Sequence, residues 1–99
     1  MKFEFNRGKS QANQEKHGIS LHEATQLWRE AYLEVVARTV DEPRWMAIGK
    51  ISGKLYACIY TSRGEAIRLI SCRRASEKEA RLYHAHFKEA TGASERERN

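Results

Sequence analysis

Arginines and aromatic rings recur together in the second half of the sequence. Arg44-Trp45, Tyr56, Tyr60, Arg63, Arg68, Arg73 and Arg74 stand close to one another, and Arg81 and Tyr83 follow soon after. Guanidinium forks hold phosphate oxygens in two-pronged fashion and unpaired bases stack on ring faces, so cations beside rings suit single-stranded RNA. Cleaving RNA through its own 2′-hydroxyl asks for more: a base for that proton, an acid for the leaving oxygen and positive charge at the phosphorane. His17, Tyr60, Glu42 and the arginines can fill these roles without a metal. Histidine matches neutral pH, and arginine, which does not titrate, is confined to stabilising charge. Plainer readings compete with these. Trp45 and Tyr83 stand at core spacing, where large rings pack, and His17 suits the negative end of a helix. Arg68 differs, because an arginine between the apolar Ile67 and Leu69 of a central strand needs a partner for its charge.

Other chemistries find little support. His84 and His86 diverge by about 200° on a helix, which is wrong for a shared metal, and the two cysteines lack a ligand pattern. There is no glycine-rich phosphate loop and no Gly-x-Ser-x-Gly elbow. The sequence calls for no cofactor. Ninety-nine residues suffice for one small domain, and a single proline with six glycines argues against low complexity. No apolar run approaches a membrane span, and the start Met1-Lys-Phe-Glu-Phe-Asn6 lacks the pattern of a signal peptide, so a cytoplasmic protein is expected. Cys58 and Cys72 then read as buried thiols, with a disulfide between neighbouring strands as the alternative.

The net charge of +5 is concentrated in the middle of the chain. Residues 41–75 hold seven basic side chains against three acidic, whereas residues 76–99 balance at five and five. A basic sheet suits a polyanion or an acidic protein segment.

The elements that would position these residues follow from periodicity and caps. Lys2–Phe5 reads as a short first strand or an extended lead-in. Asn6 caps a helix over residues 7–17, which Gly18 stops with a left-handed residue. Its apolar stripe is thin. Ser20-Leu-His-Glu23 forms a capping box for a second helix with Leu21, Ala24, Leu27, Trp28 and Ala31 on one face. Four strands follow: residues 33–40, Trp45 to Ile51, Leu55 to Tyr60, and Ala66 to Ala75. Short turns make them an antiparallel meander. In the last, a period of two sends Ile67, Leu69, Ser71 and Arg73 one way and Arg68, Ile70, Cys72 and Arg74 the other. A second capping box, Ser76-Glu-Lys-Glu79, starts a third helix, ended by Gly92. The expected architecture is α+β: two N-terminal helices, a four-stranded antiparallel sheet and a C-terminal helix. Residues 1–92 form the domain, and residues 93–99 a disordered tail.

The motifs together resemble the BrnT-type toxins of bacterial type II toxin-antitoxin pairs. Phe3-Glu-Phe-Asn-Arg-Gly-Lys9 is similar to that family's Phe-Glu-Trp-Asp-x-x-Lys start, Asn13 stands where its asparagine does, and Lys16-His-Gly-Ile-Ser20 matches its Lys-His-Gly-Val-Ser corner. Glu42-Pro-Arg-Trp45 fits Glu-x-Arg-Trp. Gly49, Tyr60-Thr61 and Arg63 follow at the family's intervals, and Ile67-Arg-Leu-Ile-Ser-Cys-Arg-Arg-Ala75 fits Ile-Arg-x-Ile-Ser-Ala-Arg-x-Ala. Phe5 stands in place of the usual tryptophan, and Cys72 in place of the usual alanine. The segment from Trp28 to Glu42 is shorter than usual and lacks the common Asp-Pro. The resemblance implies a RelE-like fold, a metal-independent ribonuclease that arrests translation, and neutralisation by a BrnA-type antitoxin that supplies the DNA-binding part for operator repression. Carried onto this sequence, its functional positions are Arg68, Arg73, Arg44-Trp45, Lys16-His17 and Arg81-Tyr83. With the reading of the residues themselves, catalysis is expected at Arg68, Arg73, His17 and Arg44, and RNA binding at Lys16, Trp45, Tyr60, Arg63, Arg74, Arg81 and Tyr83.

Overall fold

A computed structural model describes residues 1–37 and 41–98 of the chain. The elements run β1 (Lys2–Glu4), α1 (Arg7–His17), α2 (Leu21–Ala24) with a 3-10 segment over Thr25–Arg29, β2 (Leu33–Val36), β3 (Trp45–Ile51), β4 (Lys54–Arg63), β5 (Ala66–Arg74) and α3 (Glu77–Arg98). The caps lie where the sequence puts them. The Asn6 side chain accepts from the Lys9 N–H at 3.0 Å. Gly18 stops α1 at a φ of 77°, a conformation open to a residue without Cβ. Ser20 and Glu23 cap α2 reciprocally, at 3.0 and 3.1 Å.

The α2 helix is much shorter than its apolar stripe predicts. The Thr25 hydroxyl donates back to the His22 carbonyl at 2.7 Å, a local bond that competes with the α-helical ladder, and the chain tightens into 3-10 geometry to Arg29. Ala31 lies beyond it. At the other end of the chain, α3 continues through Gly92 to Arg98. A glycine within a helix costs about 1 kcal/mol but does not by itself stop it, and the Glu- and Arg-rich sequence that follows has ordinary helix propensity. The last three residues of the strand expected over 33–40, and Asn99 of the expected tail, lie outside the described residues.

The sheet has five strands in the order β1-β5-β4-β3-β2. β2 to β5 form the expected meander, but β1 joins beside β5 in parallel, with Lys2, Phe3 and Glu4 opposite Ala66, Ile67 and Arg68. The sheet is therefore mixed rather than purely antiparallel. Both helices and the whole meander separate β1 from β5 in the chain, so no tight turn dictates an antiparallel pairing.

Two apolar layers clothe the sheet. On the first face, Ile19, Leu21, Ala24 and Leu27 cover Ala47, Cys58, Tyr60, Leu69 and Cys72. The approach is close, since a Cβ on Gly49 would meet Leu27 and Tyr32 at 3.0 Å. On the second face, Tyr83 of α3 covers Ile48 and Ala57, with Leu33, Met46, Leu55 and Phe87 around them. Cys58 and Cys72 lie opposite one another on the first face as free, buried thiols. The hydrogen bond between them and their burial push the Cys58 thiol up. No helix among the described residues is long and apolar enough to cross a membrane.

The thin apolar stripe of α1 is compensated by polar docking. The Asn13 amide donates to the carbonyls of Ile19 at 2.7 Å and Cys72 at 2.8 Å, and its oxygen accepts from the Cys72 N–H at 3.1 Å. β1 has ended by this level, so Asn13 pairs with β5 where a strand would. The Ser10 hydroxyl likewise accepts from the Leu21 N–H at 2.9 Å and ties α1 to α2. Removing a buried partner leaves its mates unsatisfied at about 1–3 kcal/mol each. Asn13→Ala is therefore expected to lower unfolding free energy by about 3 kcal/mol or more, read as a drop in the urea midpoint. Asn13→Asp, which keeps the acceptor but loses both donors, should do no better. A midpoint unchanged in both variants would contradict this anchoring role.

Candidate nucleic-acid interface

One irregularity decides which arginines share a surface. Ile59 lies opposite Ser71 and Tyr60 opposite Leu69, so Ile70 has no partner in β4. This is a bulge, and one extra residue reverses the alternation beyond it. Leu69 and Cys72, three apart, are both buried in the first-face core. Arg68 and Arg73, five apart, both fall on the second face, not on opposite faces as a strict period of two predicts.

The second face reads as successive cross-strand rows. Nearest α3, Leu33, Ile48, Ala57 and Arg73 align; next come Val35, Met46, Ile59 and Ser71. Then Thr61 lies opposite Arg68, which lies opposite Glu4. Arg44 precedes Trp45, the partner of Tyr60, and so extends this row on the far side of Thr61. Arg63 pairs with Ala66, and Ala66 with Lys2, in the last row. Helix α3 covers the first row and leaves Met46, Ile59 and Ser71 half-buried. An apolar floor thus runs up to a border of Arg44, Arg68 and Arg63.

Each central arginine has a loosely held carboxylate. Arg68 stands 3.9 Å from Glu4, and Arg44 3.7 Å from Glu42, with all four side chains about a third or more exposed. Such exposed pairs contribute about 0–1 kcal/mol and leave the guanidinium free to exchange its partner for a phosphate. Thr61, buried between the two arginines, donates to the Pro43 carbonyl at 2.7 Å and fixes the turn that carries Arg44.

Arg73 is held differently. Both of its terminal nitrogens meet the Glu79 carboxylate, at 2.7 and 2.9 Å. Glu79 also accepts from the Ser76 N–H at 2.8 Å, while the Glu79 N–H donates to the Ser76 hydroxyl at 3.1 Å. The second capping box is therefore present, and Arg73 fastens it to the sheet. The bonds from Arg73 hold the Glu79 carboxyl down at about 2 against the opposing effect of burial, and the same pairing pushes Arg73 up.

The other candidates lie elsewhere. Tyr60 and Tyr83 are core residues, 3% and 9% exposed, and offer no free ring face to a base. The Tyr60 hydroxyl donates to Glu34 on the first face. Trp45 is partly buried against the first-face core. Arg74 lies over the Tyr56 ring at 5.6 Å and donates to the Leu55 carbonyl. Arg81 pairs with Glu77 at 3.2 Å on the surface of α3. Lys16 and His17 close α1, which advances from the level of Arg68 to Asn13 at the level of Cys72, so they lie away from Arg68. The structure thus brings together Arg44, Arg63 and Arg68, sets Arg73 apart on the same face, and separates the remainder. Glu4 and Glu79 are partners that the sequence reading did not assign. The second was visible only as a cap, since nothing in the spacing tells where its other oxygen points.

A profile of the family described as "Ribonuclease toxin, BrnT, of type II toxin-antitoxin system" matches residues 5–79. The chain belongs to the BrnT toxin family. It is accordingly a ribonuclease toxin with an antitoxin partner. The BrnT match spans α1 through the first turn of α3, including the bulge, the arginine rows and Glu79. No curated protein matches the chain.

The low pKa of Glu79 sets a pH dependence. A carboxyl held at about 2 when folded, against an ordinary value of 4.5, contributes stability above pH 4.5 that is lost as the pH falls towards about 2. Wild-type and Glu79→Gln proteins are expected to differ in urea midpoint at pH 6 and to converge between pH 4.5 and about 2. A gap that stays constant over that range would show that the charge of Glu79 is not what stabilises the corner.

Proposed function

We propose that this BrnT family member is a metal-independent endoribonuclease whose RNA lies across the second face of the sheet. The observation that carries this reading is the convergence of Arg44, Arg63 and Arg68 beside the half-buried apolar floor of Met46 and Ile59. Phosphates would replace Glu42 and Glu4 on the arginines, while sugars and bases rest on the apolar floor. Arg68, at the centre of its row, would stabilise charge on the phosphorane. Glu4, beside it, would take the 2′-hydroxyl proton as that oxygen attacks phosphorus. The 5′-oxygen leaves with a proton from water, and a 2′,3′-cyclic phosphate remains. Arg73, bound by Glu79, would act by holding α3 off the floor.

In the cell this activity would arrest translation in the cytoplasm. The partner would be a BrnA-type antitoxin, and operator DNA would be contacted only through the antitoxin complex. A second reading, a binding module that does not cut, is favoured by one observation: His17, the side chain best matched to neutral pH, lies away from Arg68.

Incubating the chain with end-labelled RNA in a chelator separates the two. Cleavage should persist and leave cyclic or 3′-phosphate ends, and Arg68→Ala should slow it by about 100-fold. Glu4→Gln should slow cleavage with RNA affinity retained. Binding without new ends, with and without ribosomes, would favour the module that does not cut; cleavage unaffected by Arg68→Ala would remove the site from this face.

A further inference from the structure

A cleft of about 490 Å³ opens between α1 and the start of α2, within the size range of small-ligand sites. Phe5 and His22 form one side, with ring centroids 6.3 Å apart at 61°. Arg7, Gln11 and Gln14, spaced to share a face of α1, form the other. The walls are fixed to each other, because Ser10 on α1 accepts from the backbone N–H groups of Leu21 and His22 at the mouth of α2.

Three features of this cleft point to a nucleotide. No carboxylate among the described residues lines it, and the first turn of α1 carries Arg7 and Lys9 with no acidic residue. Cations at the positive end of a helix dipole repel it, and an anion would relieve both. Unlike Arg44, Arg68, Arg73 and Arg81, Arg7 has no carboxylate partner among the described residues. Finally, Gln11 and Gln14 are exposed and spend no side-chain hydrogen bond on the described residues. Each carries a donor pair and an acceptor, the complement of a base edge.

The cleft lies around the edge of β1 from the arginine row, because Phe5 packs against the first-face core. Phe5 directly follows Glu4, the partner of Arg68. A strand crossing the arginine row and rounding the short edge of β1 reaches the cleft next.

We propose that the cleft is a base subsite for that RNA: one nucleobase lies against the Phe5 and His22 rings, Gln11 and Gln14 read its edge, and Arg7 holds its phosphate. This rests on the RNA reading above, and two measurements keep the two apart. In the first, proton-nitrogen spectra of the full chain are followed during titration with AMP, GMP, CMP, UMP or inorganic phosphate. At least one nucleotide should shift the side-chain amides of Gln11 and Gln14 and the His22 backbone saturably. Gln11→Ala/Gln14→Ala, at exposed positions, should remove the His22 response. Absence of shifts, or equal shifts with phosphate alone, would overturn the subsite.

In the second, affinity for a labelled single-stranded RNA is measured at several salt concentrations. The double glutamine variant should bind about tenfold more weakly with its base preference levelled and its salt slope intact. Arg7→Ala should reduce the salt slope by about one. Unchanged affinity in both variants, with cleavage still dependent on Arg68, overturns the subsite alone. Nucleotide shifts in the cleft without RNA cleavage support the subsite and overturn the nuclease reading.

Discussion

The backbone of β5 has to be satisfied on both edges, and β1 is long enough to cover only three residues of one of them. That shortfall organises the N-terminal half of the chain. Asn13 supplies the missing pairing from a helix, through both the N–H and the C=O of Cys72. Because the same amide reaches the Ile19 carbonyl, the corner between the helices is fixed to the sheet in one step. Ile19, Leu21 and Leu27 can then be lowered onto the first face. An apolar residue at this position would pack, but it would leave three buried backbone groups without partners. This explains how α1 is held with so thin an apolar stripe.

Satisfying Cys72 on its outer edge also constrains its inner one. In an antiparallel pair, a residue whose N–H and C=O both point away from its neighbour is non-hydrogen-bonded to it, and its side chain comes close to the opposite one. Cys58 and Cys72 form such a pair, and small thiols fit the narrow space. Just before it, the bulge at Ile70 resets the alternation. It lets Leu69 and Cys72 both enter the first-face core and turns Arg68 to the side of Arg73. Core packing and the surface charge pattern therefore depend on the same extra residue.

Much of this architecture was legible. Asn6, Gly18, Ser20, Ser76 and Pro43 mark boundaries by local chemistry, which a single sequence carries in full. Pairing of β1 was not legible, because a three-residue strand has no period and its partner lies far along the chain. The bulge was equally hidden. Ala66 to Arg74 alternates well enough to suggest a regular strand, and only the register with β4 reveals the extra residue. The candidate site inherits that error: the sequence names the arginines but not which of them share a face. Tyr60 is instructive in another way, since a tyrosine beside arginines satisfies a binding pattern and a core pattern equally. Its burial and its bond to Glu34 are tertiary facts. Resemblance carried Asn13 without a reason, and geometry supplies one.

The carboxylates beside the arginines divide them into two kinds. Glu4 and Glu42 stand nearly 4 Å from their partners in exposed settings, where water and salt screen the attraction and side-chain entropy opposes it. Pairs of this kind leave both arginines partly exposed. Glu79 instead meets Arg73 with both oxygens while capping α3, and its own side chain is only 12% exposed. Displacing it would uncap a helix and strand a half-buried charge together. The two kinds of pair, on one face, separate two loosely paired guanidinium groups from one that is tied to the start of α3.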